Sequence, residues 1–194
     1  MAASLRERRR QQTELDIQRA TISLALEQGL DHVTTEAIAD RAGISPRTFF
    51  NYYPNKEAAV VGHPPDFPDC AREAFVSGQG NLRDDLRILL MSNLQQMETR
   101  PDIIRGIGEL WKENARVRWM LELEIEKLID VVADCIQRRQ PDMAPGLRHG
   151  LADWTMRSSH LAIGLWAQDK ADDLETALDI VWEEQLEVAR CLLG

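Results

Sequence analysis

Between Thr34 and Pro54 the chain runs TTEAIADRAGISPRTFFNYYP, and this stretch sets out two short helices with a tight turn between them. Thr34 or Thr35 can cap the first, because a hydroxyl there can accept from the unpaired amides of a first helical turn. Ile38, Ala39 and Ala42 supply its apolar side, and Gly43 ends it. Ser45-Pro46 then reads as an N-cap followed by proline at the first helical position, a strong start signal. Pro54 disfavours helix in the residue before it, so the second helix stops near Tyr53. Helix, glycine turn and short helix over 35–53 is the spacing of a helix-turn-helix, whose second member can lie in the major groove of DNA. Short helix pairs about a glycine also occur in bundles for packing alone.

Within the second helix, Arg47, Thr48 and Asn51 fall at i, i+1 and i+4 and share a face. Arginine can pair with guanine edges and asparagine with adenine, and the threonine methyl suits thymine. Phe49 and Tyr53 lie on another face and can anchor against Ile38 and Ala42. Tyr52 and Lys56 are placed to reach backbone phosphates, Lys56 at a helix start whose amides point outward.

Before this stretch, Ile17, Ala20, Leu24 and Ala25 form one face of a helix over roughly 6–28, which Gly29 suits as an end. After it, Asn55 can cap a helix from Lys56 that Pro64, Pro65 and Pro68 break. Longer helices are expected over 69–77, 82–98 (Asn81 as cap), 102–113, 115–139, 147–168 and 171–193 (Asp169 as cap). Apolar residues cover most of the circumference of 115–139, the mark of a central helix. No alternating strand pattern or internal repeat is visible. The expected fold is all-α: an N-terminal three-helix helix-turn-helix (homeodomain-like) domain over 1–56, then a larger helical bundle over 57–194.

The longer string Gly29-Leu30-Asp31-His32-Val33-Thr34-Thr35-Glu36-Ala37-Ile38-Ala39, then Ala42-Gly43-Ile44-Ser45, then Thr48 through Glu57, resembles the amino-terminal signature of the TetR/AcrR family of bacterial repressors. The resemblance covers about residues 10–60; the rest is similar only in length and helix number. It implies an all-α homodimer with a DNA-binding domain and a ligand-binding body, and repression of a palindromic operator that a small molecule relieves. Carried over by position, the DNA contacts it implies are Thr35, Ser45, Pro46, Arg47, Thr48, Phe50, Asn51, Tyr52 and Lys56. Phe50 departs from the tyrosine common at its place, which removes a hydroxyl that would reach phosphate. Glu36 stands where some members carry a basic base-reading residue. Arg6, Arg8, Arg9 and Arg10 form a basic arm before the first helix, either a solvated end or an extra contact to phosphates or the minor groove.

Two apolar stripes mark the last helices. One holds Leu147, Leu151, Trp154, Leu161 and Leu165; the other holds Leu174, Leu178, Val181 and Trp182. Both could cover the body's own core. Trp166, Ile180 and Val188 lie off the stripes and point to burial on a second side. The family resemblance implies pairing of such helices across a twofold, with Leu151, Trp154, Leu161, Leu165, Leu174, Leu178, Val181 and Trp182 at the interface. Candidates for an effector pocket are Phe75, Met91, Leu94, Met97, Trp111, Trp119, Met120, Leu123, Cys135 and His160. Methionine and aromatic side chains suit an adaptable apolar cavity and equally suit plain core. Family habit implies an apolar effector such as a fatty acyl compound or a lipophilic drug.

Composition narrows the alternatives. Of 194 residues, 44% are apolar and 28% charged, a globular balance. The net charge of −9 is unevenly spread. Residues 1–56 hold eight basic and seven acidic side chains, a net +1, and the remainder holds 15 and 25, a net −10. A local positive face is all that phosphates require, so an acidic sum does not exclude DNA. Three distant cysteines, Cys70, Cys135 and Cys191, argue against a disulfide scaffold or a four-cysteine zinc site. The longest uncharged apolar stretch, Leu161–Ala167, is far short of the ~20 residues of a membrane helix, and no secretory signal is visible. These features make the cytoplasm the expected compartment, and the family resemblance implies a bacterial one, at the nucleoid. No phosphate loop, GxGxxG, HExxH or GxSxG occurs, and no histidines pair at metal-ligand spacing, so neither catalysis, metal nor cofactor is expected. A helical adaptor that binds protein in place of DNA is the alternative.

Overall fold

The structure is a computed structural model and describes residues 5–193. Among these residues there are ten α-helices, one 3-10 turn and no strand. The helices are α1 (Leu5–Gln28), α2 (Thr35–Arg41), α3 (Pro46–Tyr52), α4 (Lys56–Val61) and α5 (Asp69–Ser77), then α6 (Leu82–Glu98), α7 (Pro101–Glu113), α8 (Ala115–Arg139), α9 (Pro145–Ala167) and α10 (Leu174–Leu193). They form two compact units, one of residues up to Pro64 with Asp102–Leu123, the other of Pro65–Pro101 with Glu124–Gly194. The boundary expected at 56/57 does not coincide with this division. Residues 57–64, α7 and the start of α8 share a core with the amino-terminal helices.

Local chemistry sets most helix ends in the first unit. Gly29, at φ 83°, lies just past α1 and donates to the Ala25 carbonyl at 2.9 Å. Thr34 caps α2 by accepting from Ala37 N–H at 3.1 Å, and Asn55 caps α4 by accepting from Ala58 N–H at 2.8 Å. At the other end of α4, Gly62 takes φ 66° and ψ −154°. The buried Gln18 amide donates to the Val60 and Val61 carbonyls at 3.0 and 2.9 Å, which satisfies the end of a very short helix. A Cβ on Gly62 would run into that same amide. The core of this unit gathers Ile17, Leu24, Leu30, Val33, Ile38, Phe49, Tyr53, Val60, Ile103, Leu110 and Val117. On α7, Gly106 lets the helix come close enough to Ile22 of α1 that a methyl group there would collide. Arg19 and Asp102 pair beside this contact at 2.8 Å.

In the second unit α10 packs on α9 and α6, and α6 also meets α5 and α9. Arg139 is almost wholly buried: it pairs with Asp85 at 2.6 Å, donates to the Phe75 and Gly80 carbonyls, and lies over the Phe75 ring. Arg87 on α6 bridges Glu175 and Asp179 of α10 at 2.9 and 2.7 Å. Two expectations change here. Asp169 does not cap the last helix. It sits at φ 55° in a Schellman turn closing α9, with Asp169 N–H donating to Trp166 and Lys170 N–H to Leu165. Asp173 is the cap instead, accepting from Thr176 N–H at 2.7 Å. Nor is α8 buried all round. Val117, Val132 and Ile136 are buried, but Trp119 (59% exposed) and Leu123 face outward.

The four amino-terminal arginines form no arm ahead of the first helix. Arg6, Arg8, Arg9 and Arg10 lie within α1, on turns that every described residue from Leu5 to Gln12 leaves exposed.

Candidate nucleic-acid interface

The turn between α2 and α3 is built by backbone chemistry. Gly43 stands at φ 68°, a conformation that costs a side-chain-bearing residue energy but costs glycine none. It lets Gly43 N–H reach Asp40 at 3.0 Å and Ile44 N–H reach Ala39 at 2.9 Å, which closes α2 in a Schellman motif. Ser45 then opens α3 by accepting from Thr48 N–H at 3.1 Å, with Pro46 at the first position.

This turn fixes which side of α3 faces inward. Phe49 is fully buried and Tyr53 nearly so, both in the cluster that holds Ile38, with Ala42 packed against it. The two rings lie 6.3 Å apart, and Tyr53 stacks on His63 at 5.4 Å. The Tyr53 hydroxyl donates to the Glu14 carbonyl at 3.4 Å, tying the end of α3 to α1. The other side of α3 is open. Ser45, Pro46, Arg47 and Asn51 are exposed, as is Phe50 at 55%. Neither the Arg47 nor the Asn51 side chain has a hydrogen bond or ion pair among the described residues, so both polar groups point to solvent as a base-reading pair requires.

The remaining predicted contacts are more committed to the fold. The Thr48 hydroxyl shares a hydrogen bond with that of Ser45 at 2.8 Å, which leaves its methyl as the group a base would meet. Thr35 is half-buried and donates to Glu36 at 3.3 Å. Tyr52 is half-buried against the core. Lys56 differs from the sequence-based picture: its ammonium donates to the Asp31 and Val33 carbonyls at 3.2 and 3.0 Å, closing the 3-10 turn that precedes α2. One of its three donors remains for a phosphate. Arg41 carries a role that spacing did not show. It grips Glu27 of α1 through both terminal nitrogens, at 2.8 and 2.9 Å, and also reaches Ser23. The Arg41 guanidinium, with help from Ser23, pulls the Glu27 carboxyl down to about 2.

The residues expected to form one effector pocket are divided between the two units. Phe75, Met91, Leu94, Met97 and Cys135 are buried in the second unit. Burial pushes the Cys135 thiol above its usual value. Trp111 and Met120 instead pack against the core of the first unit, while Trp119 and Leu123 lie on the surface. His160 keeps an exposed edge, yet burial of its ring, with the nearby Arg157 charge, holds its imidazole below the usual value. A groove of about 490 Å³ opens in the first unit, lined by Arg19, Ile22, Ser23, Leu26, Glu27, Asp102 and Ile103. None of the expected pocket residues lines it.

The expected interface also divides. Leu174, Leu178, Val181 and Trp182 are buried within their own subunit, Trp182 against Trp154 at 5.2 Å. They have no surface left to offer a partner, because α10 turns this stripe toward α6 and α9. Leu151, Trp154 and Leu165 are half-buried, and Leu161 is 49% exposed. Leu147 is exposed on the same helix, as are Ile180, Val188 and Leu192 on α10. The off-stripe residues Ile180 and Val188 are thus the outward ones.

Residues 17–60 match the family described as bacterial regulatory proteins, tetR family. Over 57 residues the chain is 40% identical to the HTH-type transcriptional regulator TcmR of Streptomyces glaucescens, a stretch covering 29% of this chain and only 25% of that protein. Among solved structures, the fold is similar to that of Thermus thermophilus FadR, a TetR-family repressor in complex with lauroyl-CoA. The TM-score is 0.54 at 24% identity, over 90% of this chain and 93% of the other. It is also similar to the fatty acid degradation regulator FadR of Bacillus halodurans, with a TM-score of 0.52 at 14% identity over 86% and 94% of the two chains.

Proposed function

We propose that this chain, which belongs to the TetR family of bacterial regulatory proteins, is a cytoplasmic repressor that binds a palindromic operator as a homodimer and is released by a small apolar effector. The observation that carries this reading is the division of α3 into two sides. Phe49 and Tyr53 hold the helix from within, and Arg47 and Asn51 stand unpaired in solvent at the spacing of base contacts. Ser45, Pro46, Thr48, Phe50 and Tyr52 would flank them, with Thr35 and Lys56 reaching the phosphates. Two such helices related by a twofold would enter successive major grooves about 34–36 Å apart.

The exposed apolar residues of α9 and α10, led by Leu161, Ile180 and Val188, support a partner subunit. An apolar effector would enter the second unit among Phe75, Met91, Leu94 and Met97, and an acyl compound of the kind bound by the Thermus protein is the first to try. Such a ligand shifts the repressor only by its difference in affinity between DNA-bound and released forms.

Selection of duplexes from random DNA tests the reading directly. The expected product is an enriched palindrome. Arg47→Ala is then expected to cost about 1–3 kcal/mol per half-site, measured by anisotropy titration. An Arg47→Ala protein that binds at full strength removes the base-reading role, and the absence of any enriched palindrome favours the adaptor.

A further inference from the structure

One buried oxygen of the second unit is not used by the fold. Asn93 on α6 is 1% exposed, and its side-chain Oδ1 meets no hydrogen-bond donor among the described residues. The nitrogen end of the same amide is committed. It donates to the Pro65 carbonyl, in the irregular strap that leads into α5. A carbonyl can partner only the nitrogen, so this bond fixes which end of the amide is left over. One turn further along α6, Gln96 donates to the Asp66 carbonyl of the same strap at 3.1 Å, and the neighbouring Phe67 is buried.

The surroundings of Asn93 on its own helix are apolar. Leu89 and Leu90 lie four and three residues before it and Met97 four after, all buried, so they share its side of α6. An amide oxygen in such a place costs stability unless a donor reaches it. Holding the strap needs only the nitrogen end. The Ser159 hydroxyl and the Trp182 indole nitrogen are also buried without a partner. A hydroxyl turns to suit its surroundings, however, and the Trp182 ring is packed beside Trp154 and under Arg83. Asn93 alone combines a fixed orientation with a free acceptor.

We infer that Asn93 Oδ1 accepts a hydrogen bond from the effector, so that the effector is an apolar molecule carrying one hydroxyl or N–H group. The side chain then selects among apolar compounds by chemistry and not by shape, because an analogue without the donor leaves the oxygen unpaired. This inference rests on the reading that an apolar effector enters the second unit, and the experiment separates the two.

The probes are n-octanol and heptyl methyl ether. They have equal numbers of heavy atoms and both accept hydrogen bonds, but only the alcohol donates one. Binding to the full-length protein is measured by calorimetric titration for wild type, Asn93→Leu and Gln96→Leu. Wild type is expected to prefer the alcohol by about tenfold, the worth of one hydrogen bond. Leucine keeps the branched shape of asparagine without its acceptor, so Asn93→Leu should abolish the preference. Gln96→Leu releases one bond to the strap but keeps the Asn93 oxygen, so the preference should persist there. A wild type that binds both compounds equally overturns the inference without recourse to any variant. A preference that survives Asn93→Leu, or that Gln96→Leu removes as completely, overturns it too. In each of those cases the effector reading stands, since the compounds bind. If neither compound binds wild type, that reading of the second unit falls and this inference with it.

Discussion

The two units of this protein are built by different means. The first is made of short helices whose ends are each tied by a particular group: Thr34, Gly43, Ser45 and Asn55 along the chain, Gln18 across it. With so many ends fixed, little freedom remains over which side of α3 faces in. The second unit is made of long helices held mainly by apolar burial, joined by ion pairs such as Arg87 with Asp179. A long helix with apolar residues on more than one side can turn any of them inward, and which side wins depends on its neighbours. Caps thus determine orientation where helices are short, and packing partners determine it where helices are long.

The largest test of this contrast is in α10. If Trp182 belongs to the subunit's own core, Trp182→Ala should cost about 3–5 kcal/mol in urea unfolding. A variant that kept its stability but became monomeric would return Trp182 to an interface. Next, Leu161→Asp with Val188→Asp should weaken self-association at least tenfold, about 1.4 kcal/mol, with unchanged helix content. Sedimentation over a concentration series checks it. In the first unit, Ser45→Ala removes the acceptor of Thr48 N–H and should cost about 1 kcal/mol of stability in denaturant unfolding. The smallest effect concerns Glu27. Its carboxyl is held at about 2 against a usual 4.5, so it binds fewer protons folded than unfolded. Its contribution is therefore fully present above about 4.5 and is lost as pH falls through about 2. Glu27→Gln should flatten the stability profile of this unit across that window.

Much of the first unit was legible because its signals are local. Glycine at a left-handed position, proline after serine, and asparagine before a short helix each act within a few residues, so Gly43, Ser45-Pro46 and Asn55 could be read without the fold. Phe49 and Tyr53 followed, since four-residue spacing and a fixed helix start leave them one face. Gln18 and Arg41 were not legible. Each bonds to a group far away in sequence, and nothing in the neighbourhood of Gln18 marks it as the amide that completes α4. Lys56 looked like a phosphate ligand because its position at a helix start is local, while the Asp31 and Val33 carbonyls it closes belong to another turn.

The body misled for the complementary reason. Methionine, tryptophan and leucine at helical spacing show that a helix has an apolar side, but the same pattern serves a core, a cavity wall and a subunit contact. Trp119 and Leu123 came out on the surface and Leu178 and Trp182 within, although their spacing made them equally suited to either.

What the amino-acid order settled alone is the run of helices, the ends of the short ones about Gly43, Ser45-Pro46 and Asn55, and an outward Arg47 beside an outward Asn51, all of which follow from steric and hydrogen-bonding limits acting over one or two turns. What needed the folded chain is which apolar stripe is covered and which cation is occupied. Those depend on contacts between residues distant in sequence, where the hydrophobic effect is indifferent to order and only geometry chooses.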